Sequence, residues 1–106
     1  MRYKNLVIAL ALSIVTTSAS AATVKKGYAG CTSTALLARL EQLGASGDDV
    51  AMLEFYRVMM GAKQCTVFSI GDTVYLETDP HLNSSYVRIR KQGSPISYIT
   101  RKDTIK

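Results

Sequence analysis

The sequence predicts an α+β domain, on three observations. Apolar residues recur at helical spacing between about residues 32 and 62, they alternate at strand spacing from Cys65 onward, and the only two cysteines, Cys31 and Cys65, bracket the helical part. The architecture expected from these is an N-terminal helical hairpin packed on a small antiparallel β part, with one disulfide joining the two.

The residues ahead of that domain read as a targeting segment. Arg2 and Lys4 give a basic start, Leu6 to Val15 an apolar run, and Ala19-Ser20-Ala21 a small-residue exit, the order of a cleavable secretory signal over residues 1–21. An apolar run of this length falls well short of the roughly 20 residues a spanning helix needs, so no membrane span is expected after cleavage. The expected location is the bacterial periplasm or the exterior. Cleavage after Ala21 leaves residues 22–106 as a single mature domain, about 85 residues, a size at which burial alone stabilises only modestly.

A covalent staple suits such a domain. Two cysteines in an exported chain predict one bridge, Cys31 to Cys65, and closing a loop of that length contributes roughly 3 to 4 kcal/mol. The run Tyr28-Ala29-Gly30-Cys31 also has the ending of a lipidation site, but Lys25 and Lys26 separate it from the apolar run that such a site must adjoin.

Within the helical part, Leu36, Leu37, Leu40 and Leu43 fall on one face of a helix over Thr32 to Leu43, with Thr32 or Ser33 as N-cap and Gly44 just beyond the end. A second helix starts near Gly47-Asp48-Asp49, where acidic residues suit the positive end of the helix dipole, and runs to Gly61. Its Met52, Met59 and Met60, with Phe55 and Tyr56, form a stripe expected to pack in the core, or else to offer an adaptable contact surface.

The β part opens with Cys65 to Ile70, followed by a turn at Gly71-Asp72 and a strand from Thr73 to Thr78. A polar loop, Asp79 to Ser85, precedes Tyr86-Val87-Arg88-Ile89-Arg90. There Val87 and Ile89 face inward, leaving Tyr86, Arg88 and Arg90 outward. A turn at Gln92-Gly93-Ser94-Pro95 leads to a strand from Ile96 to Thr100, then a short helical turn and one closing residue, Ile105.

Gly71-Asp72-Thr73-Val74-Tyr75-Leu76, Tyr86-Val87-Arg88-Ile89-Arg90, Gly93, Ser97-Tyr98-Ile99 and Ile105 together resemble the bacterial SH3-like barrel family. The resemblance covers about 40 residues of the C-terminal half and implies a small twisted barrel. Tyr98 stands where many members carry a tryptophan, and the aromatic motifs that line proline-peptide grooves are absent, so that activity does not carry over. For some relatives the resemblance implies cell-wall binding.

Few residues point to catalysis. His81 is the only histidine and lies in a proline-containing loop, Ser84-Ser85 is in no nucleophile elbow, and Asp48-Asp49 is better used as a helix cap. Glu77, Asp79 and His81 lack the further ligand that a familiar metal site would need. The sequence therefore predicts no enzyme, no metal and no cofactor.

The net charge of +5 is concentrated late, where Arg88, Arg90, Lys91, Arg101, Lys102 and Lys106 face only Asp103. Such a block either solubilises the chain or favours an anionic surface, and export argues against nucleic acid. Tyr and Arg are enriched at interface hot spots, so Tyr75, Tyr86, Arg88, Arg90 and Tyr98 are the candidate binding residues. The expected function is a non-catalytic periplasmic accessory module acting through protein contacts. An inhibitor or immunity protein against an exported enzyme, or a peptidoglycan-binding module, is the alternative.

Overall fold

The computed structural model describes residues 20–105, which form two helices, a six-stranded antiparallel sheet and one disulfide. The basic start and apolar run of the expected signal lie outside the described residues, as does Lys106.

The strands are β1 (Ser20–Thr23), β2 (Tyr28–Cys31), β3 (Cys65–Phe68), β4 (Thr73–Glu77), β5 (Tyr86–Lys91) and β6 (Ser97–Arg101). Helices α1 (Thr34–Ala45) and α2 (Asp49–Gly61) lie between β2 and β3, and a 3-10 turn at Lys102–Thr104 follows β6. In space the order is β1-β4-β5-β6-β2-β3, so β1 and β3 are the two edges and the sheet is not closed.

Two strands precede the helices, which corrects the expected order of an N-terminal hairpin followed by a β part. The helical pair is instead an excursion between β2 and β3. Tyr28-Ala29-Gly30-Cys31 shows no alternation of its own. It becomes a strand because β3 lies alongside it, with Cys31 directly opposite Cys65. The disulfide joins those two positions, 34 residues apart in sequence and 3.9 Å apart at Cα.

Local chemistry explains the helix boundaries. The Ser33 hydroxyl accepts from the Leu36 amide at 3.2 Å, and the Asp48 carboxylate accepts from the Ala51 amide at 3.0 Å, each satisfying an amide left free in a first turn. Beyond α2, Lys63 takes a left-handed conformation with φ 61°, and the Lys63 and Gln64 amides reach back to the carbonyls of Met60 and Met59.

Successive strand residues face opposite ways, so Tyr98 and Ile99 on β6 mark two separate apolar layers. Tyr98 belongs to a cluster with Val24, Phe68, Val74 and Ile89, against which Leu76, Val87 and Ile105 pack. Val24 follows one edge strand and Phe68 lies on the other, so the sheet curls around this cluster. The curl is fastened where the Gly71 amide donates to the Val24 carbonyl and the Val24 amide to that of Asp72, both at 2.9 Å. Gly30 is required here, since a Cβ at this position would sit 2.6 Å from the Phe68 ring.

Ile99 belongs to the opposite layer with Cys31, Leu37, Leu40 and Cys65. Met52, Phe55, Tyr56 and Met59 of α2 close this layer from outside, half-buried, as expected of the methionine and aromatic stripe, whereas Met60, expected with them, is exposed because it falls on the outer side of the helix.

Candidate functional site

The helices cover only the β6-β2-β3 part of their face of the sheet. On the β4-β5 part the strand register brings Tyr75 opposite Arg90 and Glu77 opposite Arg88, leaving these four side chains as a row without a covering layer. Three of the five expected binding residues, Tyr75, Arg88 and Arg90, share that row. Tyr86 continues it on β5.

Tyr98 does not. It is 6% exposed on the inner face, its ring edge meets Phe68 at 6.2 Å between centroids, and its hydroxyl donates to the Lys63 carbonyl at 3.3 Å. The physical reason is register: Ile89 faces Tyr98 across β5 and β6, so Tyr98 shares the inward side that Val87 and Ile89 occupy. Its place at the resemblance's tryptophan position was no guide to exposure.

Each arginine in the row is held by a carboxylate. Arg88 donates to Asp79 through Nε at 2.8 Å and Nη2 at 2.7 Å, and Asp79 also accepts from the His81 amide at 3.0 Å. The Arg88 hydrogen bonds, with that amide, hold the Asp79 carboxyl below the usual carboxylate range. Arg90 lies over the Tyr75 ring at 5.1 Å and donates to Glu77 at 3.2 Å and to the Ser94 carbonyl at 3.1 Å. Ser97 donates to the second oxygen of Glu77 at 2.5 Å.

The third arginine of the basic block lies beside this row. Arg101 forks onto Glu41 of α1 at 2.8 and 2.7 Å, its guanidinium sits 4.8 Å from the centre of the Tyr86 ring, and Glu41 also accepts from the Tyr28 hydroxyl. Chiefly through the Arg101 hydrogen bonds, Glu41 is held below its ordinary pKa. Burial, with the neighbouring Glu41, pushes the Tyr28 phenol up to about 12. The three arginines of the block that reads as strongly basic in sequence are thus each paired with a carboxylate in the fold. Glu41 gave no signal in the sequence, because its partners lie 13 and 60 residues away.

Beside Tyr86 and Arg88 the surface opens into a cleft of about 650 Å³. The first turns of α1, with Thr32, Ser33 and Thr34, form one wall, and Asp79, His81, Leu82 and Asn83 of the β4-β5 loop form the other. Its floor includes Tyr86, Arg88 and Ile99. The loop is shaped by its own side chains, with Asp79 accepting from the His81 amide and Asn83 from the Ser85 amide at 2.8 Å. The helix-start hydroxyls and the loop come together only through the fold, so sequence reading found two residues of this cleft and missed the rest. Among the described residues, no three His, Cys, Asp or Glu side chains converge as a metal site.

No protein-family model, curated protein or solved structure matches this chain.

Proposed function

We propose that the chain is a non-catalytic binding module of the bacterial cell envelope that acts through protein contacts, presented after removal of residues 1–21. The contact surface is the Tyr75, Arg88, Arg90 row together with the cleft beside Tyr86. The C-terminal strands are read as an incompletely closed SH3-like curl that holds this surface.

The observation that supports this reading most is the state of the row before any partner arrives. Arg88 and Arg90 are fixed by hydrogen bonds to Asp79 and Glu77, and Arg90 is stacked on Tyr75. Side chains already ordered lose little entropy on binding, so a flat, half-exposed row of Tyr and Arg is a low-cost contact surface. The pairing also makes the row nearly neutral, which favours a partner with polar and aromatic groups over one chosen by charge.

Cleavage after Ala21 would remove the half of β1 that lies opposite Leu76 and Tyr75 and keep Ala22 and Thr23 opposite Val74 and Thr73, with the buried Val24 behind them. The disulfide suits an oxidising compartment. Among the described residues no helix is long and apolar enough to cross a membrane.

The experiment is a capture from periplasmic extract using the mature protein and, in parallel, its Tyr75→Ala and Arg88→Gln variants. A protein retained by the parent and lost by both folded variants is the expected result. Retention that is indifferent to both substitutions would move the contact surface elsewhere, and sedimentation with purified peptidoglycan in place of a protein partner would replace the reading with wall binding.

A further inference from the structure

On the same face of the sheet as that row, over the β2-β3 edge, the helical layer does not close. A cavity of about 370 Å³ lies between α1, α2 and the β2-β3 pair, walled by Leu37, Leu40, Met52, Leu53, Tyr56 and Val67. It opens to solvent past Leu53 and Val67, and its walls are almost wholly apolar, the character of a ligand pocket.

Helix α2 gives an independent sign that something is missing from the layer. None of its 13 residues is buried, although Met52, Phe55, Tyr56 and Met59 all face the core. At the cavity mouth Leu53 is 60% exposed and Val67, on the free edge strand, 39%. The Tyr56 hydroxyl is buried without a hydrogen-bond partner. A helix with this many apolar side chains normally buries a full stripe.

We infer that this cavity is a binding site for a single neutral hydrocarbon chain. The volume sets the size. A cavity of about 150 Å³ accepts benzene, so one of this volume takes roughly 10 to 15 non-hydrogen atoms, the length of a medium acyl chain. The rim sets the charge. Its ionised group is Glu41, whose two oxygens already receive three donors from Arg101 and Tyr28. Arg101 is committed to Glu41 and the lining holds no other cation, so a carboxylate headgroup would lose its hydration uncompensated; an alcohol or ester is accepted and a free fatty acid disfavoured. A chain from solution and one from a bilayer meet the same wall chemistry, and the test separates the two sources.

The test uses the purified protein, prepared without detergent, and the fluorescent probe 1-N-phenylnaphthylamine displaced by 1-decanol. Saturable one-to-one binding, competed by decanol at least ten-fold better than by decanoate, is expected. Ala45→Trp and Val67→Trp, both at solvent-reachable wall positions, should each weaken binding at least ten-fold while the circular dichroism spectrum stays that of the parent. Co-sedimentation with phosphatidylcholine vesicles, lost in both variants, would identify a bilayer as the source; decanol binding without co-sedimentation would identify a free chain. Absence of saturable binding at millimolar decanol, equal competition by decanoate, or unchanged affinity in both folded tryptophan variants would overturn the inference.

Discussion

On the inner side of the curled sheet, Phe68, Val74 and Ile89 have no exposed surface at all, whereas on the other side α2 contributes no buried residue and stands over a cavity. The two layers share β6, whose Tyr98 and Ile99 point into one and the other. The inner layer collects side chains from five strands and is closed by the turn at Gly71-Asp72, so each member has neighbours on every side. The helical layer depends on α1 packing tightly and α2 loosely, with the disulfide and the Glu41-Arg101 fork as its fasteners. Stability is thus concentrated where the sheet curls, and adaptable surface where the helices lie.

Substitutions should separate the layers by size of effect. Phe68→Ala removes the largest fully buried side chain and the ring that Tyr98 packs against, and should cost about 3–5 kcal/mol, enough to leave a domain of this size largely unfolded. Phe55→Ala in the half-buried stripe should cost only about 1–2 kcal/mol in the same denaturant melts, because much of the ring already meets solvent. Equal losses would mean that the helical layer is as well packed as the inner one.

Next in size is the staple. Cys31→Ser with Cys65→Ser should lower stability by roughly 3 to 4 kcal/mol through the unfolded chain, with the β signature in circular dichroism retained below the transition. A midpoint that does not move would contradict the structural role of the bridge.

The Glu41 cluster should show itself in pH dependence. Glu41 titrates below its ordinary value in the folded chain, so its contribution is complete above about pH 4.3 and is lost as pH falls through the lowered folded value. Tyr28 is raised to about 12, so its contribution is complete below about pH 10 and is lost as pH rises from there through 12. The melting temperature should therefore fall at both ends. Glu41→Gln should cost about 1 kcal/mol at neutral pH, flatten the acid limb and reduce the alkaline limb only in part, because burial is the larger cause of the Tyr28 shift. An acid limb unchanged in that variant would place the titration elsewhere.

The smallest expected effect is a gain. Lys63 holds a left-handed conformation at the exit of α2, and Lys63→Gly should stabilise by about 0.5–1 kcal/mol by relieving it. Thermal melts resolve a change of that size.

Much of the fold was legible in local pattern, and the exceptions have physical causes. The caps at Ser33 and Asp48 and the 3.6-residue spacing located both helices to within two residues. The alternation of Val74, Leu76, Val87 and Ile89 located β4 and β5, and the cysteine count anticipated the bridge. β1 and β2 were not legible, since four-residue segments made mostly of Ala, Gly, Ser and Thr carry no period and exist as strands only beside β4 and β3. The row of Tyr75, Arg88 and Arg90 followed from alternation alone. The cleft, the Glu41 fork and the inward turn of Tyr98 depended on register between distant segments, which no local window contains.

Native-state amide hydrogen exchange compares the two layers most directly, because it measures the opening free energy of each segment in one experiment. The β5 and β6 amides around Ile89 and Tyr98 should exchange only through global unfolding, while those of α2 from Leu53 to Met59 should exchange through a smaller, local opening and gain protection when decanol is added. Protection of α2 equal to that of β5 in the absence of any ligand would contradict the division of the molecule into a closed core and an unfilled helical layer.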